Sequence, residues 1–166
     1  YASTGGTFNF HDNTLQNVQG EAASIALFNF GGSGVFENNT VSDANDAIAS
    51  NWSTGTKYLN NNVTTSGSGI HTDNAGGYGG TADTIQGNTV ANSVLNGYGI
   101  WVFAPYNVPF VDGNIITNVD VGLASAGQSA TVTPLFSDNT VNGMGKPNST
   151  GVYVTTSLFG WGSANV

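Results

Sequence analysis

The segment Phe36-Glu-Asn-Asn-Thr-Val41 recurs without gaps as Phe10-His-Asp-Asn-Thr-Leu15, Tyr58-Leu-Asn-Asn-Asn-Val63, Ile85-Gln-Gly-Asn-Thr-Val90, Val111-Asp-Gly-Asn-Ile-Ile116 and Phe136-Ser-Asp-Asn-Thr-Val141. Six copies in a chain of 166 residues make this repeat the organising unit of the molecule. The fourth place is always Asn: Asn13, Asn39, Asn61, Asn88, Asn114 and Asn139, separated by 26, 22, 27, 26 and 25 residues. Each interval reads as one coil of a solenoid.

The hexapeptide has a physical reading at each place. Its first and last residues, from Phe10 and Leu15 to Phe136 and Val141, are large and apolar in every copy. They point inward and stack on their counterparts one coil away, each burial contributing roughly 1.5 to 3 kcal/mol. The place before the repeated Asn holds Asp12, Asn38, Asn60, Gly87, Gly113 and Asp138. These residue types tolerate a left-handed backbone best, so a bend is expected there between two short strands. An inward Asn at every bend can bond the backbone groups the bend frees and the Asn of the next coil, the condition under which a buried amide is stable. Thr14, Thr40, Thr89 and Thr140 then face solvent by strand alternation.

A second apolar run follows each hexapeptide, centred near Ile25, Ile48, Ile70, Ile100, Leu123 and Val152, usually after Gly or Ala. Each coil is therefore expected to read strand, bend, strand, loop, strand, loop. These residues resemble the repeats of the pectin-lyase-like superfamily, in which an apolar residue, a short bend, an inward Asn and a further apolar residue recur on every rung. The resemblance implies an all-β, right-handed parallel β-helix of about six coils, in one domain over residues 1–166. At ~4.8 Å per coil the stack is on the order of 29 Å tall. It also implies a secreted or cell-surface location. It does not choose an activity, because lyases, hydrolases, epimerases, tailspikes and adhesins share this fold.

Composition removes several partners. Ten acidic residues face two lysines, Lys57 and Lys146, with no arginine, for a net charge of −8. Nothing here could neutralise a phosphate backbone, so nucleic acid is excluded as a partner. No run of about 20 apolar residues is present, so membrane insertion is not expected. Without cysteine there is no disulfide framework and no thiolate chemistry.

In the resembling enzymes the substrate cleft runs along the outer face of the strand that corresponds to the Ile25-to-Val152 series. Alternation puts Ala26, Ala49, His71, Trp101, Ala124 and Tyr153 in one outward column there. Phe28, Asn51, Asp73, Phe103, Ala126 and Thr155 form the next. His71, Asp73, Trp101, Phe103 and Tyr153 are the glycan-binding candidates, because aromatic faces beside hydrogen-bonding groups suit a sugar ring. Trp52, Tyr106 and Phe110 lie in loops that would flank them. The competing reading of the rings is packing beneath the 104–110 loop or against a partner chain.

His71 and Asp73 are the only acid–base candidates, and they lack the cations that uronate chemistry in the resembling families requires. No catalytic residue is assigned. Asp43, Asp46, Asp73, Asp112 and Asp120 could offer oxygens to calcium but follow no loop motif, so no metal or cofactor is assigned either. Neither end carries an amphipathic helical cap, and Leu158-Phe-Gly-Trp161 could begin a further coil. The chain is read either as a piece of a longer solenoid or as one that stacks end to end with copies of itself. The first functional expectation is an extracellular structural or adhesive β-helix that assembles head to tail into filaments. The alternative is a carbohydrate-active fragment or polysaccharide-binding module.

Overall fold

The computed structural model describes residues 6–20, 24–73, 80–93, 97–103, 108–126 and 135–155. Every element among them is a strand, and no helix is long and apolar enough to cross a membrane. The strands fall into three parallel sheets of six, one strand of each sheet per coil.

The first sheet holds β1 (Thr7–His11), β4 (Ser33–Glu37), β7 (Lys57–Leu59), β10 (Thr84–Gln86), β13 (Phe110–Asp112) and β16 (Leu135–Ser137). The second holds β2 (Thr14–Gln16), β5 (Thr40–Ser42), β8 (Asn62–Thr64), β11 (Thr89–Ala91), β14 (Ile115–Thr117) and β17 (Thr140–Asn142). The third holds β3 (Ile25–Phe30), β6 (Asp46–Asn51), β9 (Ser68–Asp73), β12 (Tyr98–Phe103), β15 (Val121–Ala126) and β18 (Thr150–Thr155). In each sheet a strand pairs with the one a full coil away, as in the β-solenoid the pectin-lyase-like resemblance implies.

The hexapeptide spans the corner between the first two sheets. Asp12, Asn38, Asn60, Gly87, Gly113 and Asp138 all have φ between 52° and 68°. Their N–H groups nevertheless reach the next coil, as in Asn38 N to Leu59 O at 3.0 Å and Asn60 N to Gln86 O at 3.0 Å. The apolar residues on either side form the core, with Phe36, Val41, Tyr58, Val63, Ile85, Val90, Val111 and Ile116 essentially inaccessible. Aromatic rings line it, Phe10 stacked on Phe36 at 5.8 Å and Phe36 tilted by 34° against Tyr58 at 5.6 Å.

Between them runs a ladder of amides. The backbone N and Nδ2 of Asn61 both donate to Asn88 Oδ1, at 2.8 and 2.9 Å, and those of Asn88 donate to Asn114 Oδ1, both at 2.9 Å. The same pattern links Asn13 to Asn39, Asn39 to Asn61 and Asn114 to Asn139. Each Nδ2 beyond the first coil also reaches a carbonyl one coil back, such as Tyr58 O from Asn88 and Ile85 O from Asn114. Buried amides that satisfy all their groups in this way fix the register of the rungs.

The second corner is a bend where sequence reading expected a loop. Asn17, Asp43, Thr65, Asn92 and Asn118, each four residues after a ladder Asn, have φ between 53° and 58°. Each continues the backbone ladder, as in Asp43 N to Thr64 O and Asn92 N to Thr117 O. Length variation between coils is therefore confined to the chain after these bends and to the third corner, between the third and first sheets.

The third sheet corrects the expected register in the first coil. Leu27 pairs with Ile48, and Ile25 pairs with Asp46. The inward series is thus Leu27, Ile48, Ile70, Ile100, Leu123 and Val152, buried except for Val152 on the last rung, and each preceded by Ala or Gly. That small residue also faces inward, which breaks strict alternation. A Cβ on Gly99 would lie 2.5 Å from Ile116 Cγ2 and 2.6 Å from the Gly122 carbonyl, and one on Gly69 would lie 2.5 Å from Val90 Cγ1. The second and third sheets converge here too closely for a larger side chain.

Candidate functional site

Because two successive residues turn inward, three columns share the outer face of the third sheet. The first comprises Ile25, Asp46, Ser68, Tyr98, Val121 and Thr150. The second comprises Phe28, Ala49, His71, Trp101, Ala124 and Tyr153. The third carries Phe30 beside Asn51, then Asp73, Phe103, Ala126 and Thr155. The two-residue correction in the first coil thus removes Ala26 from the expected column and puts Phe28 in its place.

At the centre of this face Trp101 is surrounded by rings. Tyr98 stacks on it at 5.3 Å with an interplanar angle of 25°. Phe103 meets it edge-on at 5.1 Å, and His71 lies 5.4 Å away, tilted by 37°. All four are partly exposed. Trp101 and His71 are direct cross-strand partners, as are Phe103 and Asp73. The parallel register therefore brings the four central candidates onto one patch, and Tyr153 lies two rungs beyond Trp101 in the same column.

Polar groups border the rings. His71 Nδ1–H donates to Asp46 Oδ2 at 3.2 Å, and its Nε2 faces Asn51 Oδ1 at 3.1 Å. The carboxylate bonded to His71 is thus that of Asp46. Asp46 Oδ1 is buried without a hydrogen-bond partner among the described residues. Asp73 is 8% exposed. Burial, followed by the nearby Tyr153, raises the Tyr98 phenol above its ordinary range. Trp52, at the third corner of the second coil, is 58% exposed and has φ 55°. A bulky side chain in that backbone region is uncommon and marks a position held in spite of local strain. Phe110 is partly exposed on the first sheet, and Tyr106 lies outside the described residues.

Sequence reading did not single out Tyr98, and it considered Asp46 only as a calcium ligand. Strict alternation counted back from His71 reaches Gly69 and misses Ser68, the column that carries both residues. The available signal was the Gly-Ile and Ala-Ile pairing itself, since a small residue before every buried one marks two inward places in succession.

The inner side of the same sheet is unexpectedly polar. Asn29, Ser50 and Thr72 occupy one buried column, each no more than 1% exposed. With Ser53, Thr56, Tyr58 and Asp83 they form a network at the third corner. Asp83 accepts from Thr56 N at 2.7 Å, from Ser53 Oγ at 3.4 Å and from the Thr72 hydroxyl. Ser50 bonds the Tyr58 hydroxyl and lies 2.9 Å from Ser53 Oγ and 3.3 Å from Thr72 Oγ1. Thr56 Oγ1 accepts from Asn29 Nδ2 at 3.1 Å. Burial lifts the Asp83 carboxyl from 3.8 to about 6, against the hydrogen bonds from Thr72, Thr56 and Ser53. Burial, and then Asp83, pushes the Tyr58 phenol far above its ordinary value.

The acidic residues considered for calcium do not assemble. Asp112 bonds Ser137 and Gln86, Asp120 pairs with Lys146 at 3.0 Å, and Asp46 holds His71. Among the described residues no three His, Cys, Asp or Glu side chains converge on one point.

No curated protein and no solved structure matches the chain. A family model does, over residues 3–164, and its description is periplasmic copper-binding protein (NosD). A match that spans almost the entire chain, on a β-solenoid of this kind, places the protein in the NosD family.

Proposed function

We propose that this chain is an extracytoplasmic β-helix that binds a polymeric glycan, without transforming it, along the outer face of its third sheet. The observation that carries the reading is the Tyr98–Trp101–Phe103–His71 cluster on a solvent face bordered by Asp46, Asn51 and Asp73. Rings offer the apolar face of a sugar a flat partner, and the partly exposed Asn51 amide beside them can meet its hydroxyls. Phe28, Trp101 and Tyr153 stand in one column at the first, fourth and sixth rungs, about 14 and 10 Å apart at ~4.8 Å per rung. An extended polysaccharide lying parallel to the solenoid axis would meet all three. A place outside the cytoplasm agrees with the periplasmic description of the family.

The same geometry supports a non-catalytic role. Both ring nitrogens of His71 are engaged by side chains of the protein, and neither lysine stands on this face to neutralise a developing charge. Affinity electrophoresis through gels containing neutral polysaccharides tests the reading. The protein should be retarded and Trp101→Ala should migrate freely, whereas equal retardation of the two would remove the reading.

The family description names copper, and the donor set of this chain does not fit it. Copper sites take His, Cys and Met ligands. Here there are two histidines, one methionine and no cysteine. His71 is engaged at both nitrogens, His11 bonds Asp12 at the surface, and Met144 is 67% exposed on another coil.

A second reading, end-to-end stacking of copies as a structural filament, is favoured by the polarity of the amide ladder. Among the described residues Asn13 Oδ1 receives no donor and the Asn139 backbone N–H finds no further amide oxygen. The last rung therefore offers what the first rung accepts. Electron microscopy should show filaments with an axial repeat on the order of 29 Å per copy if this is so; dispersed particles would discard it.

A further inference from the structure

Resting on the glycan reading of the third sheet, we infer that this face selects sugars free of carboxylate and favours amino sugars over uronates. The aromatic platform is flanked on one side by Asp46, bonded to the His71 ring that lies 5.4 Å from Trp101. On the other side Asp73 is the cross-strand partner of Phe103. A sugar seated on Trp101 therefore lies within one or two rungs of two carboxylates.

The face holds no lysine or arginine to offset them. The chain has no arginine and two lysines. Lys57 belongs to a strand of the first sheet, and Lys146 is committed to Asp120 at 3.0 Å. His71 cannot turn toward a ligand without giving up Asp46 or Asn51. A polyuronate places one carboxylate on every ring, so each bound ring would bring like charges together on a protein already at −8. An ammonium is instead attracted by the charge of the same two carboxylates, and a neutral acetylated ring meets no like-charge repulsion.

Calorimetric titration with length-matched oligomers of glucosamine, N-acetylglucosamine and galacturonate tests this. Glucosamine oligomers should bind tightest and the acetylated series next, with galacturonate weaker than the acetylated series by about tenfold or more at low salt. The advantage of the amine should shrink at high salt. In the Asp46→Asn/Asp73→Asn variant, checked for retained strand content by circular dichroism, amine and acetylated oligomers should bind alike. Galacturonate binding as tightly as the neutral series would overturn the inference while leaving glycan binding intact. So would an amine preference that survives both the double substitution and Trp101→Ala, since that would reflect overall protein charge. Failure of every oligomer to bind would remove both this selectivity and the glycan reading beneath it.

Discussion

Replacing Asp83 by Asn should stabilise the protein at neutral pH and not at pH 4. Asp83 lies under the third corner with its carboxyl raised from 3.8 to about 6 by burial. A raised carboxyl pKa means that the folded state holds the proton more tightly than the unfolded chain. Its contribution therefore favours folding most below about 3.8 and is lost as the pH rises through about 6. A displacement of about two units at ~1.4 kcal/mol each corresponds to ~3 kcal/mol between the two limits. Asn has the same shape, keeps an oxygen for the Thr56 N–H at 2.7 Å, and turns a donor toward the Thr72 hydroxyl, but does not ionise. Urea denaturation of both proteins at pH 4, 5, 6 and 7 isolates the effect, because the remaining titrating groups cancel in the difference. The variant should gain ~2.4 kcal/mol on the parent from pH 4 to pH 7, most of it before pH 6. A difference independent of pH, or one that favours the parent as pH rises, would refute the raised carboxyl pKa of Asp83.

Further consequences follow from the ladder, the tight corner and the donor set. Asn88→Leu strands Asn61 N and takes the Asn88 amide from Tyr58 O, while Asn61 Nδ2 keeps Phe36 O and Asn114 Oδ1 keeps the backbone N–H of residue 88; at ~1 kcal/mol or more per stranded group it should cost at least ~2 kcal/mol by urea midpoint. Gly99→Ala drives a Cβ into Ile116 and the Gly122 carbonyl and should cost ~2 kcal/mol. Gly151→Ala, at the same place on the last rung with nothing within 4 Å, should change stability by less than ~0.5 kcal/mol. Chain incubated with cupric ion and desalted should retain far less than one copper per molecule by elemental analysis. Stoichiometric retention would contradict the reading of His11, His71 and Met144 as separate and unsuited to the metal.

The hexapeptide was fully legible because each of its places has one physical task. Phe36 and Val41 fill the core, Asn38 supplies the left-handed residue, and Asn39 satisfies the bend. The second corner was hidden by its residue types. Asn17, Asp43, Asn92 and Asn118 suit a left-handed bend, but Thr65 does not, and Met144 takes that conformation one place later in the last coil. In a chain this rich in Asn and Thr the pattern does not stand out. Ile25 misled because it is as apolar as Leu27, and only the Ala26-Leu27 pair, matching Ala47-Ile48 and Gly99-Ile100, distinguishes the true register.

The platform of His71, Trp101 and Phe103 was visible from alternation alone. Tyr98 was not, because the converging sheets force a Gly inward and shift the outward place by one. The polar interior around Asp83 was invisible in principle. Ser50, Thr72 and Asp83 read as ordinary surface residues until folding gathers them from separate coils. Such gathering depends on the lengths of the variable loops, which no local pattern encodes.

The central claim concerns Trp101, and its own emission reports on it most directly. With Trp52 and Trp161 replaced by Phe, Trp101 is the one tryptophan left of the chain's three. Titration with N-acetylglucosamine oligomers should produce a saturable shift in its fluorescence, with affinity rising as the oligomer lengthens toward the Phe28 and Tyr153 rings of the same column. Emission that stays unchanged at saturating oligomer, in a variant that keeps its β-sheet circular dichroism, would contradict glycan binding on this face.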